Sequence, residues 1–339
     1  MTTHTHHETA PATPLLEVRH ARKVYGGGFL SGGRAVTALR DCAMTLTGVP
    51  ATITAVAGES GSGKSTLAGV VLGFVKLDQG QVLFQGRDVA AMTRRQRFDY
   101  RRQVQAVFQD PYAVFNPFYH TDHIFNLVMR RFGLAKNKRD ARLRIAEALD
   151  RVGLRTDDVL GKHPHQLSGG QRQRIMIARA CLMAPRLMVA DEPVSMVDAS
   201  LRSMILDIML RLRDEEGISF LYITHDLSTA YQISDDIHIF YQGALVESGA
   251  VDTVLGRPKH PYTQLLIESI PEPNPARRWG GNVEAAAAEA EEYDPDMGCP
   301  FHPRCPKRMA HCKSHQPETI SIPGANHAVA CHLYHHATE

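Results

Sequence analysis

Short apolar runs alternate with longer amphipathic stretches along this chain, and the two periods divide it into regions. Residues 51 to 57, Ala-Thr-Ile-Thr-Ala-Val-Ala, are β-branched and apolar throughout, as in a parallel strand buried on both faces. Similar runs at 81–84, 104–108, 187–190 and 218–224 predict further strands. Residues 15 to 56 are strand-rich as a whole, broken by Gly-rich turns at Gly26-Gly27-Gly28 and Gly32-Gly33. From 110 to 165 strand character is lost. Residues 141–149 place apolar side chains at helical spacing, which predicts an inserted helical subdomain over about 110–180. Strand, helix (199–215) and strand then resume, an order that argues for a parallel α/β core with crossover helices. A unit over 234–270 predicts two short strands and two helices. Residues 271–296 read as a linker, with Pro271, Pro273 and Pro275 before an Ala/Glu run through Glu292. No internal repeat is present, so one chain supplies one unit of this kind.

The strand at 51–57 runs directly into G-E-S-G-S-G-K-S-T at 58–66. Gly58, Gly61 and Gly63 permit torsions that other residues avoid, so successive N–H groups can turn inward on an anion. Ser60, Ser62 and Thr66 complete a loop that opens a helix continuing through Leu67, Val70, Val71 and Leu72, where the helix start favours phosphate. Lys64 is placed to reach the β- and γ-phosphates, and the Ser65 hydroxyl to ligate Mg²⁺.

Three strand ends bear on the same chemistry. The run at 187–190 ends in Asp191 and Glu192. Asp191 suits the water shell of Mg²⁺, and Glu192 is placed to take a proton from an attacking water. Gln109 follows the strand at 104–108 and offers both donor and acceptor to the metal or the water. His225 ends the strand at 218–224, where an imidazole can hydrogen-bond a γ-phosphate.

Length and charge narrow the class. The 339 residues hold one large or two modest domains, and a formal charge of +2 gives no bulk electrostatic case for nucleic acid. Arg94, Arg95, Arg97, Arg101 and Arg102 form one local basic cluster, read as a solvated face because no aromatics interleave for stacking. No apolar run approaches the roughly 20 residues that span a bilayer, and residues 1–14, with His4, His6 and His7, lack an apolar signal core. Cys42 and Cys181 stand alone in apolar surroundings as small hydrophobes. Cys299, Cys305, Cys312 and Cys331 crowd the end of the chain, and in a cytosolic setting such a cluster reads as metal ligation.

The phosphate loop, Gln109, L-S-G-G-Q at 167–171, Asp191-Glu192, Asp198 and His225 occur in the order found in ATP-binding cassette (ABC) ATPases, and residues 15 to 255 resemble that family. The resemblance implies a P-loop core with an added antiparallel β subdomain. It also implies a dimer in which Ser168, Gly169, Gly170 and Gln171 complete the γ-phosphate site of the opposite subunit, with Asp198 in the loop that crosses the interface. Ser195-Met196-Val197-Asp198 stands where the family usually shows Ser-Ala-Leu-Asp. Tyr25 is the candidate for the ring that stacks on adenine.

His260-Pro261-Tyr262-Thr263 and G-C-P-F-H-P-R-C-P at 298–306 resemble the carboxyl-terminal extension of oligopeptide and dipeptide importer ATPases, which makes 256–339 that extension. Gln109-Asp110-Pro111-Tyr112 through Asn116-Pro117 agrees, with Val114-Phe115 where Ser-Leu is commoner. In that subfamily the four tail cysteines are associated with a [4Fe–4S] cluster. Spacings of five, six and eighteen intervening residues suit thiolates converging from loops, while Zn²⁺, with His302 and His332 nearby, stays open as the alternative. The tail has few apolar residues of its own, so metal binding is expected to supply its folding energy. The resemblance implies an ATPase peripheral to the cytoplasmic face of the inner membrane. Its expected partners are a second ATPase subunit, two transmembrane permeases and, through them, an external substrate-binding protein. Peptides are the expected cargo; nickel, glutathione or sugar, a soluble ABC ATPase, or a catalytically silent subunit are the alternatives.

Overall fold

Two long strands, β1 (Leu16–Tyr25) and β2 (Val36–Leu46), pair antiparallel with Tyr25 opposite Val36. The structure, a computed structural model, describes residues 13–26, 35–110, 114–270 and 293–335. The histidines at 4, 6 and 7, the glycines at 27, 28, 32 and 33, the Pro111-Tyr112 pair and most of the expected linker (271–292) lie outside the described residues. After β2 come β3 (Ile53–Ala57), α1 (Lys64–Val71), β4 (Gln79–Phe84), β5 (Arg87–Asp88), α2 (Arg94–Gln103) and β6 (Val104–Val107). The helical stretch follows as α3 (Asp122–Phe132), α4 (Lys138–Arg151), the single turn α5 (Thr156–Val159) and α6 (Gly169–Cys181). Alternation resumes with β7 (Leu187–Asp191), α7 (Ala199–Glu216), β8 (Ser219–Thr224), α8 (Leu227–Ile233), β9 (Asp236–Tyr241) and β10 (Ala244–Ala250). Then come α9 (Val251–Gly256), α10 (Pro261–Glu268), β11 (Thr319–Ser321) and β12 (His327–Ala330).

Strands β2-β1-β4-β5 form an antiparallel sheet, and a second sheet runs β11-β12-β10-β9-β3-β8-β7-β6. Its five strands from β9 to β6 are parallel, as the sequence predicts. The other three are antiparallel, so the sheet is mixed rather than purely parallel. Alternation along the buried strands feeds two cores, as period-two side-chain placement requires. Ile53, Ala55, Met188, Ala190, Phe220 and Tyr222 face one core, which continues through Phe125, Ile145 and Leu149 of the helical stretch. Val56, Leu187, Val189, Leu221 and Ile223 face the other, with α1 and the antiparallel sheet. The runs lack visible alternation in sequence because both faces are covered.

The carboxyl-terminal segment is not self-contained, in keeping with its few apolar residues: it packs into the main core and pairs with the main sheet. Cys299, Phe301 and Cys312 belong to the main core, and β12 pairs with β10 so that Gly249 faces His327. Beside that pairing the imidazole Nε2 of His327 lies 2.6 Å from Glu247 Oε1, both side chains fully buried. Glu247 also accepts the N–H groups of Lys259 and His260 at 2.6 and 3.0 Å, fixing the entry to α10. Removing one member of such a buried set costs about 3–5 kcal/mol, because its partner is left without compensation.

Candidate active site

The phosphate loop is shaped by close backbone approaches as much as by torsion. Gly58 (φ 151°) would bring a Cβ to 2.1 Å from the Phe240 carbonyl oxygen, and Gly63 (φ 103°) to 2.2 Å from that of Ala38. Any side chain there collides with neighbouring strands. The Ser62 carbonyl accepts the Gly243 N–H at 2.8 Å, tying the loop to the β9–β10 turn. Lys64 is buried at the start of α1, and its Nζ donates to the Gly58 and Glu59 carbonyls at 2.7 and 2.8 Å and to Ser62 Oγ at 3.4 Å. Burial pulls its ammonium below the usual lysine range, opposed by Glu192, Asp191 and Glu59. A desolvated cation ringed by exchangeable oxygens is suited to take phosphate oxygens in their place.

The chemistry-bearing residues meet at one sheet edge. Gly58, Asp191-Glu192, His225 and Gln109 follow the carboxyl ends of β3, β7, β8 and β6, four adjacent parallel strands in matched register. The Ser65 hydroxyl hydrogen-bonds the Asp191 carboxyl, whose pKa is raised chiefly by burial, with Glu192 adding and Lys64 opposing. Hard oxygen donors short of compensating charge fit a Mg²⁺ ion. Glu192 adopts the left-handed region (φ 47°), which costs of order 1 kcal/mol for a non-glycine residue. Its N–H donates to the Ile223 carbonyl at 2.9 Å, and its own carbonyl accepts the Ser195 hydroxyl at 3.0 Å. That pinning aims the carboxylate at His225, whose Nδ1 lies 3.0 Å from Glu192 Oε1. Gln109 stands exposed at the same edge.

L-S-G-G-Q opens α6, and the structure supplies a reason for its polar members that the motif alone did not. The Ser168 hydroxyl accepts the Gln171 N–H at 3.1 Å while Gln171 Oε1 accepts the Ser168 N–H at 2.9 Å, a reciprocal capping box. The S-x-x-Q spacing was the signal for it. Gly169 and Gly170 are the first two residues of the helix, whose N–H groups have no intrahelical partner; Gly169 is partly exposed and Gly170 buried. A Cβ at Gly169 would meet nothing within 4 Å. Asp198 caps α7 without a side-chain cap bond and is exposed. Tyr25 is 43% exposed at the end of β1, with the Lys23 ammonium 5.3 Å from its ring centre. Its cross-strand partner Val36 lies two residues from Ala38, which abuts Gly63.

The four tail cysteines line one small enclosed cavity, with His260, Phe301, Met309 and His332 among its other walls. All are free thiols. Burial and mutual proximity push Cys299 up to about 12 and Cys331 to about 11, and raise Cys305. Among the described residues no three His, Cys, Asp or Glu side chains stand close enough to hold a single metal ion. Cys42 and Cys181 are buried apart from this group, each pushed up to about 12 by burial, as small hydrophobes would be. Sequence reasoning missed Glu59, Tyr262 and Arg304, which meet between the phosphate loop and this segment. Glu59 lay in a loop position that the phosphate motif leaves open.

Known proteins share this architecture. The ABC transporter family profile matches residues 42–195, and the oligopeptide/dipeptide transporter C-terminal region matches 246–312. A probable peptide ABC transporter ATP-binding protein of Sinorhizobium fredii is 35% identical, over 94% of this chain and 90% of its own length. The dipeptide transport ATP-binding protein DppF of Escherichia coli is 35% identical, over 94% of each. The solved structure of cbiO1 from Clostridium perfringens, part of the ABC transporter complex cbiONQ, matches with a TM-score of 0.61 at 25% identity, covering 72% of this chain and 92% of that one. No helix among the described residues is long and apolar enough to cross a membrane. With its phosphate loop, paired carboxylates and capped signature helix, the chain belongs to the ATP-hydrolysing ATP-binding proteins of ABC transporters, in the branch that carries the oligopeptide/dipeptide transporter C-terminal region.

Proposed function

We propose that this subunit powers uptake of peptides through a membrane complex, working at the cytoplasmic face with a second ATPase subunit, two permeases and an external binding protein. The carrying observation is the division of one chemistry over two surfaces. Lys64, Ser65, Asp191, Glu192 and His225 gather at the sheet edge, whereas Gly169 and Gly170 open a separate helix, where N–H groups lack intrahelical partners. ATP is then sandwiched between two subunits, with Ser168, Gly169, Gly170, Gln171 and Asp198 of one facing the phosphate loop of the other. Tyr25 stacks on adenine, and Gly58, Ser60, Gly61, Ser62, Gly63 and Thr66 line the phosphate path.

Glu192 acts as general base toward the attacking water, and His225 orients that carboxylate while its other ring nitrogen faces the γ-phosphate. Ser65, Gln109 and Asp191 would hold Mg²⁺, which when bound neutralises charge on the phosphates. The residues from Gln109 to Asn116 dock the permease. The names of the relatives support the peptide cargo. The test is transport by the assembled complex: import of a labelled peptide that depends on Glu192 supports the reading, while a complex that never co-purifies with permeases would sink it.

Cys299, Cys305, Cys312 and Cys331 are inferred to hold a [4Fe–4S] cluster. Their soft donors share one cavity, and protonated neighbouring thiols there are the state a metal would exchange for thiolates, releasing protons. Zinc would draw four thiolates to roughly 3.8 Å of one another, given 2.3 Å bonds in a tetrahedron. Zinc on the same four thiolates is the alternative, and among the described residues no three such side chains stand in a metal-holding group.

A further inference from the structure

The carboxyl-terminal segment grips the phosphate loop directly. The Arg304 guanidinium, from the turn between Cys299 and Cys305, donates to both oxygens of Glu59 at 2.9 and 3.1 Å. Tyr262 of α10 accepts the Glu59 N–H on its hydroxyl at 3.0 Å. Both anchors are themselves held. Tyr262 and Tyr241 rings stand 4.5 Å apart, Phe301 packs on each at 5.5 and 5.2 Å, and Arg304 Cζ lies 5.7 Å above Tyr241. Glu59 is thus fixed at its side chain and its backbone N–H by one wall. Its carbonyl is an acceptor for Lys64 Nζ, the loop's only lysine.

The same segment also holds the strands that border the loop. Asp296 accepts from Arg22 at 3.2 Å, from the Thr37 hydroxyl at 3.1 Å, and pairs with Arg40. Thr37 precedes Ala38, whose carbonyl abuts Gly63. Residues 293–335 and α10 thus hold the loop at Glu59 and brace the strand beside Gly63, and a shift of that segment would move Glu59 and with it an oxygen that Lys64 uses.

We propose that Arg304 and Tyr262 are positioning residues for nucleotide binding: through Glu59 they hold the phosphate loop, so that the carboxyl-terminal segment sets the affinity of the loop for ATP. The inference rests on the phosphate loop being the nucleotide site, and on neither the cargo nor the cluster. A guanidinium-to-carboxylate pair at this exposure fits an effect of roughly two- to fivefold.

The experiment measures affinity for a fluorescent ATP analogue, together with KM and kcat for ATP, on the full chain. Arg304→Ala and Glu59→Ala should each raise the dissociation constant and KM roughly two- to fivefold with kcat little changed, and the double variant should be no worse than either single one. Tyr262→Phe, which keeps the ring and removes the acceptor, should shift KM in the same direction. Arg304→Lys should recover part of the loss, because the charge remains while the two-pronged geometry is gone. Additive single effects, or unchanged affinity in Arg304→Ala and Tyr262→Phe, would overturn the proposal. Lys64→Ala is the control that separates the two assignments. If it loses nucleotide while the Arg304 and Tyr262 variants do not, the brace alone is wrong; if it too binds normally, the site assignment fails first and the brace with it.

Discussion

His225 Nδ1 sits 3.0 Å from Glu192 Oε1, although the two residues leave different strands. Glu192 makes this contact from a left-handed backbone (φ 47°). A base held by a neighbouring imidazole should be hard to replace. Glu192→Gln is expected to lower kcat by about 10²–10⁴-fold while nucleotide still binds, since general-base contributions fall in that range. His225→Ala should act in the same direction. Steady-state phosphate release and analogue binding check both, and turnover near the wild-type rate in Glu192→Gln would refute the assignment.

Gly58 and Gly63 make a second prediction. An added methyl meets backbone oxygens at 2.1 and 2.2 Å, and both torsions disfavour L side chains. Backbone cannot yield as a flexible side chain can. Gly63→Ala should therefore abolish nucleotide binding and lower stability by about 1–3 kcal/mol. Gly61→Ala carries only the torsional cost, since nothing lies within 4 Å of its added Cβ. Equilibrium unfolding and analogue titration compare the two, and equal damage at Gly61 and Gly63 would contradict the steric account.

The legible parts of this chain are those written locally. The phosphate loop, Asp191-Glu192 and L-S-G-G-Q each occupy a few consecutive residues, and their strand or helix context shows in the adjoining apolar period. Long-range pairings leave no such trace. Arg304 and Glu59 are 245 residues apart, and His327 and Glu247 are 80 apart, so neither pairing has a periodicity to betray it. The mixed sheet was missed for the same reason. Strand β12 is four residues long and looks like loop until β10 is placed beside it. Ser168 and Gln171 are the reverse case: the cap was visible in the spacing and was overshadowed by the motif.

The proposed [4Fe–4S] cluster predicts a coloured protein. Anaerobically purified chain should carry about four irons with visible absorbance, and Cys299→Ser should lose both. Elemental analysis distinguishes zinc, which would appear at one equivalent and leave the protein colourless. Strand β12 should remain protected in hydrogen exchange after metal removal, because β10 and the Glu247–His327 pair hold it independently of the thiols. Global loss of that protection would mean that metal folds the tail.

Burial holds His260 at about 4, so it stays neutral and its Nδ1 accepts the Tyr262 N–H at 3.0 Å. The unfolded histidine titrates near 6.5, so between about 6.5 and 4 the unfolded state binds more protons. Stability from this group is complete above 6.5 and is lost as the pH falls through that window. The slope is up to about 1.4 kcal/mol per pH unit. His260→Asn keeps a capping acceptor and removes the titration. Its denaturation midpoint should fall less steeply from pH 7 to 5 than that of the wild type, and parallel curves would dismiss the role of His260.

Gly169 offers the sharpest test of a site shared between subunits. Within one chain nothing approaches its added Cβ, and it lies in the first turn of α6 with no left-handed torsion to strain. Alanine there should leave the isolated subunit as stable as the wild type, or more stable by up to about 1 kcal/mol, because the unfolded chain loses freedom. In a closed dimer the same methyl would stand between the helix start and the partner's γ-phosphate, where backbone N–H groups must approach closely. Gly169→Ala should therefore bind nucleotide as a monomer yet fail to form the ATP-dependent dimer in the Glu192→Gln background, where blocked hydrolysis should otherwise let the dimer persist. Size-exclusion chromatography with ATP reads the difference. A dimer that forms normally would mean that the start of α6 does not close the partner's site.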